Sequence, residues 1–198
     1  MKIIRCLLAC VYLGIHFLMT GCVTHIKPTA LTNAPPAERF ANFSTIELLP
    51  LADAAPHPSH RGAMEKIQQN VDIRLNRQIQ TWNQRKVDGP VRTLVIHPEI
   101  GEMKFVGGGK RFLTGALSGS SAVVLRAKFI EKETNKEIAT AEFYSKAAAE
   151  GGAWTFGATD NIMLVRIANS LAVYVLKNFD AAVGGPVMPT AEPAPEQR

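Results

Sequence analysis

The sequence predicts an α/β (α+β) fold: a two-layer sandwich in which about four strands form one mixed sheet and two amphipathic helices cover it. Three observations predict it. Residues 63–86 and 160–180 repeat apolar side chains every three to four positions. Shorter segments at 43–51, 91–100, 121–132 and 137–146 carry apolar runs or a period of two. The order is therefore strand, helix, strand, strand, strand, helix. Two helices with apolar stripes need a sheet to cover, which makes the layers a physical consequence of the pattern.

Phe43 to Leu51 (FSTIELLPL) reads as the first strand, ended by Pro50 and a polar, Pro-broken loop over 51–61. In the first helix Ile67, Val71, Leu75, Ile79 and Trp82 form one stripe, with Lys66, Asn70, Arg74, Arg77, Gln78 and Gln84 on other faces. Asp88-Gly89-Pro90 stops it. Val91 to Ile100 forms the second strand. The first two strands, joined through a helix, are expected as parallel neighbours or near neighbours. In Ser121 to Lys132, Val123, Leu125, Ala127 and Phe129 point one way. Arg126, Lys128 and Lys132 point the other way, together with Val124 and Ile130. Thr134-Asn135-Lys136 turns the chain into a hairpin whose second strand is Glu137 to Lys146. The last helix opens at Asp160, a residue suited to an N-cap. It is apolar enough to suggest a membrane span. Yet Arg166, Asn169, Ser170 and Lys177 line up on one side, which describes a buried helix with one wet edge.

The 198 residues suffice for one domain, and the formal charge is +5. Removing a leader that holds Lys2, Arg5 and no acid would take +5 to about +3. The longest basic run is Lys110-Arg111, so a nucleic-acid partner is not expected. The N-terminus has the parts of an export signal. Lys2 and Arg5 precede an apolar run over 6–20, and Gly21-Cys22 follows. That run is shorter than the roughly 20 residues a permanent spanning helix needs. The three cysteines are Cys6, Cys10 and Cys22. Cleavage before Cys22 would leave one thiol, and neither a disulfide nor a cysteine-built metal site.

Leu18-Met19-Thr20-Gly21-Cys22 resembles the lipobox of bacterial lipoprotein precursors, with Met19 where leucine is usual. The resemblance implies a signal peptide over 1–21 and a diacylglycerol and a further acyl chain, such as palmitate, on Cys22. Val23 after that cysteine, rather than aspartate, implies sorting to the outer membrane. Several acyl chains hold a protein stably where one binds reversibly. Residues 22–42 (Pro28, Pro35, Pro36) are expected to form a tether, and the Pro-rich 183–198 a disordered tail, leaving a periplasmic domain over 43–182.

Phe105 to Ala122 (FVGGGKRFLTGALSGSSA) lacks the G-x-x-x-x-G-K-[ST] spacing of a phosphate loop and leads into a strand, so no nucleotide cofactor is expected. Its Phe112, Leu113 and Leu117 are candidate partner contacts. Lys110 to Gly115, the small-residue run to Ser121, the strand to Glu131 and the Thr134-Asn135-Lys136-Glu137 turn resemble a group of proteobacterial lipoproteins of unknown function. The order of elements is also similar to that of the small α/β modules of envelope-assembly lipoproteins.

Gly115-Ala116-Leu117-Ser118-Gly119 misplaces the serine of a hydrolase elbow. Asp53, His57 and His60 could supply three metal ligands, but they sit in a Pro-broken loop with no fourth ligand evident, and no metal is expected. No catalytic constellation emerges. The sequence thus points to a non-catalytic lipoprotein, anchored to the periplasmic face of the outer membrane and acting as an assembly or adaptor module for a protein partner. It would bind through the loop around 105–120 or through a sheet edge. The alternative is a carrier of a small or lipidic ligand, which would need a closed apolar pocket between sheet and helices.

Overall fold

The computed structural model describes residues 26–105, 120–147 and 158–188. Seven strands and two long helices follow in the order β1 (Thr32–Asn33), β2 (Thr45–Leu48), β3 (Ala52–Asp53), α1 (Arg61–Asn83), β4 (Thr93–Lys104), β5 (Ala122–Glu131), β6 (Lys136–Lys146), α2 (Ala158–Asp180) and β7 (Gly185–Pro186). The main sheet runs β2-β4-β5-β6, with β3 also on β4. It is mixed, as the sequence predicts: β2 is parallel to β4, and β5 and β6 continue antiparallel.

The expected first strand is broken in two. β2 pairs with Thr93 to Ile96 and β3 with Glu99 and Ile100. Pro50 lies between them and can donate nothing to a ladder, which an edge strand tolerates. β4 runs further than expected, to Lys104, through an irregularity between Ile100 and Glu102. Gly101 sits there, with the Arg126 guanidinium lying over the place a Cβ would take. In the β5–β6 turn Asn135 takes a positive φ of 55°, the left-handed conformation its short polar side chain accepts.

Helix α1 buries Ala63, Ile67, Val71, Leu75, Ile79 and Trp82, the predicted stripe. It ends three residues earlier than the sequence suggests, where Arg85 Nε donates to the Trp82 carbonyl. Helix α2 buries Met163, Leu164, Ile167, Ala168, Leu171, Ala172, Tyr174 and Val175, and turns Arg166 and Lys177 to solvent. Ser170, expected on the wet edge, is buried and donates to the Arg166 carbonyl. Asp160 lies inside the first turn rather than at the cap, where its charge still favours the helix dipole. The helices cover one sheet face, packing on Leu94, Ile96, Ile100, Leu125, Phe129 and Phe143. At their C-terminal ends the Trp82 and Phe179 rings stack with centroids 3.7 Å apart, and Arg85 lies 4.3 Å from the Phe179 centroid.

The other sheet face is charged and open at its centre. Glu99, Arg126 and Glu142 share a row, as do His97, Lys128 and Thr140. Val124, one of the apolar residues on this side, belongs to a second small core of Ala122, Val124, Tyr144 and Val187, with Ile26 packed on it.

The stretch expected as a tether to residue 42 is docked from Ile26 onward, and the tail expected from 183 is docked to Val187. β1 pairs antiparallel with β7. Phe40 is fully buried and stacks 5.0 Å from Phe129. Tyr174 donates its hydroxyl to the Ala34 carbonyl, and burial pushes its pKa up to about 12. Asn178, wholly buried, donates to the Tyr174 and Gly184 carbonyls and accepts from the Val183 and Gly184 amides. Gly184 has a φ of 72°, and a Cβ there would strike Asn33 and Ala34 backbone. Prolines removed the periodicity of these segments without removing their contacts.

Arg92 ties the N-terminal segment to the β5–β6 end of the sheet. Its Nη1 and Nη2 donate to both Glu38 oxygens at 2.9 and 2.6 Å, its Nε donates to Glu131, and it lies 4.5 Å from the Phe43 ring centroid. The Arg92 hydrogen bonds, opposed by burial, hold the Glu38 pKa down at about 2, against an ordinary 4.5. Because the folded-state value is depressed, this stabilisation is fully present above about pH 4.5 and is lost as pH falls toward 2. Glu131 is lowered by Thr134 and Arg92, and Glu133 by the Thr93 amide. Arg92→Ala should cost about 2 kcal/mol at neutral pH and should flatten part of the acid dependence between pH 4.5 and 2. Urea titrations across that range check both effects. An unchanged pH profile would mean that the pair contributes nothing.

Candidate functional site

Cys22, Phe112, Leu113 and Leu117, the lipidation and contact residues expected from the sequence, lie outside the described residues. What the structure places is their frame. β4 ends and β5 begins at one end of the sheet, and β6 ends there too, so Lys104, Ala122 and Lys146 share the last row. β3 runs toward the same end and stops at Asp53, paired with Ile100, four residues short of Lys104.

The chain leaves β3 through Asp53, Pro56, His57 and Pro58, makes a 3₁₀ turn over Pro58–His60 and enters α1. Pro58 fixes the backbone φ for that turn and supplies no N–H. These residues, with Arg61 and Met64, line an open cleft of about 320 Å³. The sequence grouped Asp53, His57 and His60, and the fold does bring them together. His60 Nδ1 donates to Asp53 Oδ2 at 3.0 Å. The His57 ring turns the other way: Ser59 N–H donates to its Nδ1 at 3.2 Å, and the Ser59 hydroxyl lies 2.7 Å from the same atom. The ring centroids are 5.5 Å apart. The carboxylate therefore orients one histidine and the serine contacts the other, so the two pairs do not join into an acid–base–nucleophile relay. Among the described residues, no three His, Cys, Asp or Glu side chains converge where a metal ion could be held.

Each edge of the main sheet is capped at one residue by a side-chain amide, a feature with no trace in the sequence pattern. At the β2 edge, Asn83 accepts from the Ile46 N–H and donates to the Ile46 carbonyl, at 2.8 and 3.0 Å. At the β6 edge, Asn33 does the same to Glu142, at 2.8 Å each way. Each carboxamide thus stands in for one residue of a neighbouring strand. The Ile138 carbonyl accepts from the Ala37 N–H, and the Tyr144 N–H donates to the Val187 carbonyl. Glu142 also accepts from the Thr29 amide and hydroxyl, and from Arg126 Nε at 3.2 Å. Burial opposes its ionisation, but these donors hold its pKa below the usual carboxylate range. The expected sheet-edge route to a partner is therefore closed at Ile46, Ile138, Glu142 and Tyr144, since strand addition needs unpaired backbone groups. A lone asparagine 37 or 109 residues from its backbone partner leaves no local pattern to read.

No protein-family model matches the sequence, and no curated protein matches it. Among solved structures, the PelC dodecamer from Paraburkholderia phytofirmans aligns at 13% identity over 76% of this chain and 95% of that chain, with a TM-score of 0.38. A Xanthomonas campestris protein described with the family model DUF330 aligns at 14% identity over 79% of this chain and 97% of that chain, with a TM-score of 0.41. A candidate lipoprotein from Caulobacter crescentus aligns at 12% identity over 71% of this chain and 94% of that chain, with a TM-score of 0.32. This likeness is too loose to carry a functional assignment.

Proposed function

We propose that this chain is a lipoprotein of the bacterial cell envelope, anchored through acyl chains on Cys22 to the periplasmic face of the outer membrane. Its domain is a non-catalytic assembly or adaptor module for a protein partner. The observation that carries the anchor is the leader itself: two basic residues, a short apolar run and Gly21-Cys22. The adaptor reading is supported by how the layers meet. Leu75, Leu94, Ile96, Leu125, Phe129, Phe143, Ile167 and Leu171 fill the space between sheet and helices at 0% exposure. A carried ligand would have to displace them, at a cost the tight packing of protein interiors makes large.

A photoreactive residue at Phe112 in intact cells tests the reading. A discrete protein adduct is expected. Adducts with lipid alone would overturn the adaptor role in favour of a carrier.

A further inference from the structure

We propose that the end of the sheet carrying Lys104, Ala122 and Lys146 faces the bilayer, with Lys27, Lys146 and Met188 at the anionic headgroups. The inference rests on the anchor reading and adds an orientation to it. Three observations lead to it.

The first is where the chain enters the domain. Ile26 packs on Ala122, Val124, Tyr144 and Val187. Ala122 belongs to the last row of the sheet, and Val124 faces Tyr144 two rows in, on the same face. Four residue steps separate Ile26 from Cys22, and fully extended they span about 14 Å. β6 has 11 residues, and at about 3.4 Å each the other end of the sheet lies some 35 Å away. A tether that short holds this end near the lipid and cannot bring the β5–β6 turn down while Ile26 stays docked.

The second is that the other chain segments outside the described residues leave from the same end. β4 stops at Lys104, the described residues stop at Phe105 and start again two residues before β5, and all of this lies beside the Lys104–Ala122–Lys146 row. The C-terminal segment runs upward along β1 and Leu31 to Val187, which accepts from the Tyr144 N–H, so Met188 also exits here. Met188 is 44% exposed.

The third is charge. Lys104 and Lys146 flank Ala122 in that last row, and the exposed Lys27 follows Ile26. Arg61, also exposed, stands nearby at the start of α1. Asp53 (engaged by His60), Glu65, Glu102 and Asp160 lie on this side too, four acids against these four bases, so what favours the headgroups is the local placement of the exposed Lys27 and Lys146 beside the point of entry and not a net charge. A lysine near an anionic leaflet is attracted within about one Debye length, roughly 8–10 Å, so the attraction acts when the tether is less than fully extended. The open sheet face offers no such pair of lysines beside the chain's entry: its Glu47, Glu99, Glu137 and Glu142 are interleaved with Arg126, Lys128 and Lys132.

Full-length protein, with acylation of Cys22 verified by mass, is reconstituted in vesicles of phosphatidylethanolamine and phosphatidylglycerol. Nitroxides are placed through Lys146→Cys, Met188→Cys and, at the opposite end, Lys136→Cys. A nickel-chelating lipid should enhance relaxation several-fold more at positions 146 and 188 than at 136. Equal enhancement at all three, or the greatest at 136, overturns the orientation and leaves the anchor standing. Unacylated Cys22 takes down both. A disulfide between two copies of the unlabelled Lys146→Cys protein on the vesicle would assign this end to a second copy and also overturn the proposal.

Discussion

A chain carrying Leu171→Arg should be unfolded under conditions in which the parent domain is folded. Leu171 has no exposed surface, and it sits in α2 where that helix meets the sheet core. Its replacement would place a guanidinium among the apolar side chains of that core. An uncompensated buried charge costs at least about 4 kcal/mol, against a total stability that for domains of this size is of the order of 5–15 kcal/mol. Far-UV circular dichroism and thermal melting check the outcome. A variant that melts like the parent would show that α2 does not belong to the core, and the apolar character of residues 160–180 would then need a membrane to explain it.

The second large effect is expected at the other end of the chain. Cys22→Ser should abolish incorporation of radiolabelled palmitate and leave the protein at precursor size, because the sulfur that accepts the lipid is gone. Each buried methylene contributes about 0.8 kcal/mol to membrane binding, so an intact anchor dominates every other attraction in the molecule. The domain produced from Val23 onward, without leader or lipid, should remain in the soluble fraction. Persistent acyl labelling of Cys22→Ser, or a mature N-terminus elsewhere, would remove the anchor and the location together.

The sandwich was legible because its principal parts are periodic. Ile67, Val71, Leu75, Ile79 and Trp82 form the same stripe in sequence and in α1. The alternation of Val123, Leu125, Ala127 and Phe129 sets the buried face of β5. Contacts made by single residues across long separations left no such trace. Phe40, buried against Phe129, follows a polar stretch that holds Pro35 and Pro36, and Val187 sits beside Pro186. Read in isolation, a lone apolar residue between prolines looks like linker, although Phe40 and Phe43 so close together were a signal that the segment had something to bury. The Asp53, His57 and His60 grouping was legible as a neighbourhood. Its division into two unconnected pairs was not, because it depends on ring orientation.

The asparagine clasps on the sheet edges bear on the proposed membrane anchoring. Molecules confined to a plane meet far more often than the same number in solution, and all share one up-and-down axis. A raw β edge under those circumstances is a template for runaway stacking between identical copies. With Asn33 and Asn83 occupying Glu142 and Ile46, lateral crowding brings together flanks that have no backbone valence left to offer there.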